Sequence, residues 1–172
     1  MSVSVHELAA PDVAAAADEL AQLLLDAHAS GMALGLSAPL TAERAADEWR
    51  AAADRLDPDD RVFLAARDEG RIVGTVQIVR ATADNGRHRA EIQRFAVAAE
   101  MRGRGIGRVL LEAAVERART MGLTLLWLST HADTDSDRIY ERLGWTRMGV
   151  MPGFAANPDG AIVGNVFYYL EL

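Results

Sequence analysis

The segment RGRGIGR, Arg102–Arg108, places three glycines among three arginines at a change of sequence pattern. Before it, AEIQRFAVA (residues 90–98) has the composition and alternation of a β-strand. After it, apolar residues recur at helical spacing through Leu110, Ala114 and Ala118. The segment therefore joins a strand to a helix, and the elements around this junction decide the fold.

Such a junction is suited to binding a diphosphate. The first N–H groups of a helix have no partner within the helix, and the helix dipole is positive at that end. Glycine lets the backbone approach a phosphate closely, and arginine adds charge-assisted hydrogen bonds. The predicted contacts are Arg102, Gly103, Arg104, Gly105, Ile106, Gly107 and Arg108. The alternative is a glycine turn with solvent-exposed arginines.

Other phosphate loops and one hydrolase motif do not fit the sequence. A Walker loop requires G-x-x-x-x-G-K-[ST], which is not present, and a dinucleotide fingerprint requires glycine where Arg108 stands. An RGG-type RNA-binding segment belongs in a disordered tail and not beside an apolar helix. A serine hydrolase would need G-x-S-x-G, which the chain lacks.

Composition narrows the functional classes further. The chain has 172 residues, which suits one domain spanning residues 1–172, and its net charge of −7 argues against nucleic-acid binding. There are no cysteines, no secretory pattern at the N-terminus and no apolar run long enough to cross a membrane. We therefore predict a cytoplasmic protein. His6, His28 and His88 show no ligand spacing, so we predict no metal.

The order of patterned segments predicts an α/β (α+β) protein with a mixed sheet of six to seven strands and about four helices. LTLLWLST (123–130) is almost entirely apolar, which predicts a strand buried on both faces, and PGFAANPDGA (152–161) is rich in turn residues. We expect Trp49, Trp127 and Trp145 in the core. Helices are expected at 11–30, 41–56, from 106 to Gly122 and at 133–144, and strands at 2–8, 61–67, 71–80, 90–98, 123–130, 145–151 and 164–172.

Two motifs in this order resemble a known family. VAAEMRGRGIGRVLLEAAVERART (97–120) is similar to the acyl-CoA signature of the GNAT (Gcn5-related) N-acetyltransferases, whose pattern [RQ]-x-x-G-x-[GA] is met by Arg102, Gly105 and Gly107. IYERLGWTRMG (139–149) resembles that family's short helix and following strand. The resemblance implies the GNAT acyl-CoA N-acyltransferase fold, acetyl-CoA or coenzyme A as cofactor, and acetyl transfer to an amine. RAEIQRFAV, RGRGIGR and MPGFAANPDG further resemble tabtoxin resistance acetyltransferases.

The resemblance also implies roles for residues on both sides of the junction. The backbone of Phe95, Ala96 and Val97 would hold the pantetheine arm, on a strand that commonly carries a bulge in this family. Tyr140 would be the general acid that protonates the departing thiolate, because a phenol is protonated at neutral pH. The alternative for Tyr140 is a packing residue whose hydroxyl caps a backbone group.

Glu91 is the candidate general base. Strand alternation predicts that Glu91, Gln93, Phe95 and Val97 share one face, and a carboxylate on a central strand needs water or a partner. A cleft would provide the water, whereas an ion pair with Arg89, Arg94 or another, helix-borne arginine would provide the partner, and both alternatives remain open. His131, which follows a strand end, is a second candidate base or a capping residue.

Two positions depart from the family pattern. Asp133 and Ser136 stand where many members carry Asn and Ala, so their cofactor contacts are in doubt, and Asp133 could instead face a cationic substrate. These departures keep a second class open, a non-catalytic acyl-CoA-binding module. The acceptor, an amino-acid-like amine, an antibiotic or toxin, or a polyamine, would meet the segments 30–40 and 152–160. The resemblance also leaves a homodimer open.

Overall fold

The computed structural model describes residues 3–36, 39–132 and 137–172. These residues form one seven-stranded sheet with the order β1-β2-β3-β4-β5-β7-β6. The strands are β1 Ser4–Glu7, β2 Arg61–Asp68, β3 Arg71–Arg80, β4 Arg89–Val97, β5 Leu125–His131, β6 Thr146–Ala156 and β7 Ile162–Glu171. Strands β4 and β5 pair in parallel and the other neighbours pair antiparallel, so the sheet is mixed as predicted.

Five α-helices occur in the described residues, where the sequence predicted about four. The difference arises at Ala16, whose backbone (φ −91°, ψ 8°) interrupts the first predicted helix. The helices are α1 Ala10–Ala15, α2 Ala17–Ala29, α3 Ala42–Ala53, α4 Ile106–Thr120 and α5 Asp137–Arg142. None of the helices in the described part of the chain combines the length and apolar character that a bilayer crossing requires.

Helices cover both faces of the sheet. On one face, the Trp49 ring of α3 packs edge-on against Phe63 of β2, with ring centroids 5.4 Å apart. On the other face α4 lies so close that a Cβ added at Gly74 of β3 would be 2.8 Å from Leu110. Because Phe63 and Gly74 project from opposite faces of the β2–β3 ladder, we call these the α3 face and the α4 face.

The tryptophans only partly follow the prediction of a core position. Trp49 and Trp145 are buried, whereas Trp127 is half-buried and stacks on Phe167 with ring centroids 6.1 Å apart. Strand β5 is correspondingly buried on one face only, through Leu126 and Leu128. The prediction of a strand buried on both faces was wrong, because Trp127, Ser129 and His131 lie on the incompletely covered α3 face.

The segment predicted as a long turn before the last strand is mostly strand. β6 continues through Pro152 to Ala156, so the connection to β7 is limited to residues 157–161. Proline is tolerated there because β6 is the outermost strand and its register shifts between Met151 and Ala155.

Candidate functional site

The two parallel strands at the centre of the sheet separate after a short paired stretch. Their ladder covers Arg89–Glu91 of β4 and Leu125–Trp127 of β5, and in the described chain it ends there. Beyond this point β4 remains paired with β3, and β5 remains paired with β7. The resulting gap lets a cavity pass between the strands from the α3 face to the α4 face.

A β-bulge at Arg94 shapes the β4 side of this gap. Gln77 pairs with Gln93 and Thr75 pairs with Ala96, so β4 has one residue more than β3 over this interval. Arg94 has a positive φ of 49°, which is rare for a residue with a side chain. The bulge that the family resemblance implied is therefore present.

The bulge changes which side chains share a face. Glu91 and Gln93 pair with Val79 and Gln77, which places both on the α3 face. After the extra residue, Phe95 and Val97 lie on the α4 face, where the Phe95 ring would be 3.1 Å from a Cβ added at Gly107. The prediction that these four residues share one face was wrong, because strand alternation assumes an uninterrupted ladder.

The cavity in this gap has a volume of about 1080 Å³. On the α3 face its wall includes Glu91 and Gln93, and a loop around Leu34. On the α4 face its wall includes Phe95 and the start of α4. The wall also contains Ala96, Val97, Arg102, Gly103, Gly105, Ile106, Gly107, Arg108, Ser129, His131, Tyr140, Phe154 and Asn165. The structure thus brings together most of the site residues that the sequence predicted.

The glycine-arginine junction forms one end of the cavity. Gly105 caps α4 with a left-handed backbone (φ 81°), and Gly103 has a similar φ of 76°. A Cβ added at either glycine would meet no atom within 4 Å, so open space lies beside these peptides. The arrangement leaves the N-terminus of a 15-residue helix open to an anion.

The three arginines of this segment differ in their contacts. Arg102 donates to the Val97 carbonyl (3.2 Å) and to Ser30 Oγ (3.1 Å), and Arg108 pairs with Glu112 at 2.7 Å. Both are part of the cavity wall, but Arg104 is not. The predicted cofactor contact of Arg104 therefore stays a prediction, with less geometric support than those of Arg102 and Arg108.

Tyr140 lies in α5 beside the strand gap. It is 5% exposed, its ring centroid is 6.3 Å from that of Phe95, and it belongs to the cavity wall. Burial, with Tyr168 close by, raises the pKa of the Tyr140 phenol far above its usual value. The hydroxyl therefore keeps its proton at neutral pH and can serve as a donor.

Glu91 occupies the opposite side of the same cavity. Burial raises the pKa of its carboxyl group, and the hydrogen bond from Gln93 Nε2 (2.8 Å) and the positive charge of Arg61 partly oppose that shift. Arg94, a predicted ion-pair alternative for Glu91, instead pairs with Glu48 at 3.5 Å. The pKa of this half-buried carboxyl group is thus raised, which makes its ionised form a better proton acceptor and suits a general base.

Sequence analysis missed three residues of this site. Thr75 is fully buried, and its hydroxyl donates to the Arg94 carbonyl at 3.0 Å. This hydrogen bond stabilises the bulge. Asn165 lies in the cavity wall and donates to Ser129 Oγ at 3.2 Å. Arg94 itself was considered only as a partner of Glu91. A buried polar residue within an apolar strand, such as Thr75, is the signal that could have been followed.

The remaining predicted residues have mixed outcomes. Asp133 and Ser136 lie outside the described residues, so their cofactor contacts stay predictions. His131 belongs to the cavity wall, and burial lowers the pKa of its imidazole. It is therefore neutral at physiological pH and retains both of its predicted roles.

Comparison with known proteins supports the same family. The acetyltransferase (GNAT) family matches residues 20–145. Mycothiol acetyltransferase of Propionibacterium freudenreichii is 32% identical over 142 residues, which are 80% of this chain and 43% of that protein. Streptothricin acetyltransferase of Streptomyces lavendulae is 33% identical over 95 residues, 55% of this chain and 49% of that protein. The chain thus spans less than half the length of these curated relatives.

A solved structure extends the comparison to the whole fold. The Salmonella typhimurium protein yncA, described with its cofactor acetyl-CoA, has a TM-score of 0.76 and 18% identity, and the match covers 100% of this chain and 95% of that one. This confirms the predicted fold class. Because the family match includes the strand gap, the glycine junction and Tyr140, the chain belongs to the acetyltransferase (GNAT) family, which uses acetyl-CoA.

Proposed function

We propose that this protein is an N-acetyltransferase that moves the acetyl group of acetyl-CoA to the amine of a small molecule, by direct attack in a ternary complex. The observation that carries the proposal is the gap between β4 and β5. One cavity there contains a carboxylate with a raised pKa on the α3 face and a protonated phenol on the α4 face. The two relatives named for mycothiol and streptothricin favour a small-molecule acceptor.

The residues at the junction fit the cofactor's diphosphate. Open space beside Gly103 and Gly105 admits an anion to the N–H groups at the start of α4. Arg102 and Arg108 lie in the same wall and are exposed, so either side chain can turn toward a phosphate. Backbone groups of Phe95, Ala96 and Val97 on the side of β4 that faces the gap would hold the pantetheine arm.

The chemistry requires three contributions from the chain. Acetyl-CoA supplies a thioester, whose carbonyl carbon is attacked by the amine nitrogen as the C–S bond breaks and coenzyme A leaves. Glu91 receives the proton that the attacking nitrogen loses, directly or through a water molecule. Tyr140 gives its proton to the departing sulfur, and a backbone N–H at the bulge stabilises negative charge on the carbonyl oxygen.

The test is a thiol-release assay with acetyl-CoA and a panel of amino acids, aminoglycosides, polyamines and short peptides. We expect release that depends on an acceptor, with the acetylated amine identified by mass spectrometry. Tight binding of acetyl-CoA without release for any member of the panel would contradict the proposal and favour a non-catalytic acyl-CoA-binding module.

A further inference from the structure

The charges in the cavity wall are opposite in sign to the net charge of the chain. Among the described residues the wall contains four arginines, Arg94, Arg102, Arg108 and Arg142, against one carboxylate, Glu91. The chain as a whole carries −7. A cationic wall in an acidic protein favours anionic ligands in the cavity.

Two of these arginines, Arg102 and Arg108, lie at the junction where the diphosphate is proposed to bind. They flank the N-terminus of α4, and Arg142 in α5 lies in the same cavity wall. Arg94 is on the α3 face instead, with its guanidinium carbon 5.5 Å from the centroid of the Trp49 ring. It shares that face with Glu91, where the amine is expected. Arg94 is therefore not part of the proposed diphosphate site.

The guanidinium of Arg94 is poorly compensated. Its side chain is 14% exposed, and its contact with Glu48 is 3.5 Å, longer than the roughly 2.7–2.9 Å of a charge-assisted hydrogen bond. Nη1 is enclosed and has no acceptor among the described residues. Arg55 adds like charge nearby, and burial lowers the Arg94 pKa, although a guanidinium stays protonated.

An anionic ligand can compensate the charge of the Arg94 guanidinium without breaking a strong interaction. The guanidinium is held by a cation–π contact with Trp49 and by one long ion pair, so it can turn toward the cavity when a carboxylate enters. A carboxylate offers the planar, two-oxygen partner that a guanidinium binds best. Glu91 and Arg94 are three residues apart on β4, a span of at most about 10 Å that two side chains and an amino acid can bridge.

We propose that the acceptor is a free amino acid, whose carboxylate is bound by Arg94 while its amine faces Glu91. The inference rests on the proposed function and specifies its substrate class. It makes Arg94 a specificity-determining residue and explains why a positively charged side chain remains in a half-buried bulge. The cavity wall near Leu34 and Phe154 is apolar, so the amino acid's side chain meets an apolar surface.

The test compares matched acceptors. Each amino acid that supports thiol release is measured beside its carboxamide and its decarboxylated amine. We expect kcat/KM to be about 10- to 100-fold higher for the amino acid, the range of a charged hydrogen bond. R94Q should remove that preference through KM and leave the decarboxylated amine within about threefold, and R94K should restore part of it.

R89Q is the matched control, because Arg89 is an exposed arginine on the same strand and outside the cavity wall. It should keep the wild-type preference. A wild-type enzyme that prefers the decarboxylated amines, or an R94Q variant that loses activity with all acceptors equally, would overturn the inference.

Calorimetric titration of the same amino acids into the protein loaded with coenzyme A separates this inference from the proposed transferase function. Binding that depends on Arg94, without thiol release, would sustain this inference and refute the transferase.

Discussion

At the scale of single residues, the site depends on side chains whose protonation is set by burial. Tyr140 is enclosed among Phe95, Trp145 and Tyr168, with ring centroids between 5.3 and 6.3 Å from its own. Burial keeps the Tyr140 hydroxyl protonated, so this residue can donate a proton. Glu91 is only half-buried, and its raised pKa suits it to accept a proton, because an ionised carboxylate with a higher pKa is a better base.

Replacing Tyr140 with Phe removes the proton donor and keeps the ring. We expect kcat to fall about 100-fold, with the acetyl-CoA dissociation constant nearly unchanged. Steady-state kinetics and calorimetric titration check both. Y168F is the control, since Tyr168 is also buried and its ring centroid is 5.3 Å from that of Tyr140. An undiminished kcat in Y140F would remove Tyr140 from the mechanism.

Glu91 should give kcat an acid limb. A base must be ionised, so the rate should fall as pH drops through the Glu91 pKa, which lies above the ordinary value of 4.5. E91Q should lower kcat about 100-fold and abolish this limb, as measured in a pH profile at saturating substrates. E100Q, which alters an exposed carboxylate outside the cavity wall, should keep the wild-type profile. If E91Q retained the limb, another group would be the base.

Thr75 should affect activity indirectly, because its hydroxyl stabilises the bulge in β4. T75V keeps the shape and removes the hydroxyl that donates to the Arg94 carbonyl. We expect a loss of about 1 kcal/mol in the free energy of unfolding and about a tenfold drop in kcat/KM, whereas T75S should retain most of both. Denaturant melts and kinetics provide the measurements. Equal activity of T75V and wild type would show that the bulge is held by its other contacts.

At the scale of elements, the geometry of the candidate site comes from one irregular strand and the start of one helix. The bulge in β4 moves Phe95 to the α4 face, and Gly107 admits the Phe95 ring beside α4. Gly74 similarly lets α4 lie against β3, because a side chain there would collide with Leu110. The proposed cofactor end and acceptor end of the cavity are therefore positioned by the same two elements.

The helix start can be tested with a matched pair of glycines. Gly105 (φ 81°) and Gly160 (φ 86°) both have left-handed backbones and open space where a Cβ would lie. G105A and G160A should therefore lose similar stability, about 1 kcal/mol each. We expect G105A alone to weaken acetyl-CoA binding, by about tenfold, since its strained peptide borders the anion site. Equal affinities of the two variants would contradict this placement of the diphosphate.

At the scale of the whole molecule, an acidic chain concentrates cationic side chains around one cavity. Acetyl-CoA at 100 times its dissociation constant should add about 2.7 kcal/mol to the stability of the folded state and raise Tm by about 5–10 °C.

Added salt should weaken the binding of acetyl-CoA, because Arg102 and Arg108 are exposed to screening. Pantetheine, which has no phosphates, should show little salt dependence. Salt-independent binding of acetyl-CoA would contradict the arginine-lined anion site.

Sequence alone determined the features that depend on local pattern. The helical stripe after Gly107, the glycines of the junction and the alternation of β4 are properties of neighbouring residues, and so the order of elements and the strand-to-helix junction were predictable. Glu91 became a candidate base from its place on the strand before the junction, whereas Tyr140 became a candidate acid from the family resemblance. Their common cavity and raised pKa values required the folded chain, since burial is a property of all the packed elements.

Only the tertiary structure decided how the central strands divide the site between two faces. A bulge is a mismatch between two strands, and β4 read by itself alternates regularly, so Phe95 was assigned to the face of Glu91. The gap after Glu91, the hydroxyl of Thr75 on the bulge and the undercompensated charge of Arg94 likewise arise between segments far apart in sequence. These contacts depend on how segments far apart in the sequence pair in the folded sheet, and the periodicity of neighbouring residues does not encode that pairing.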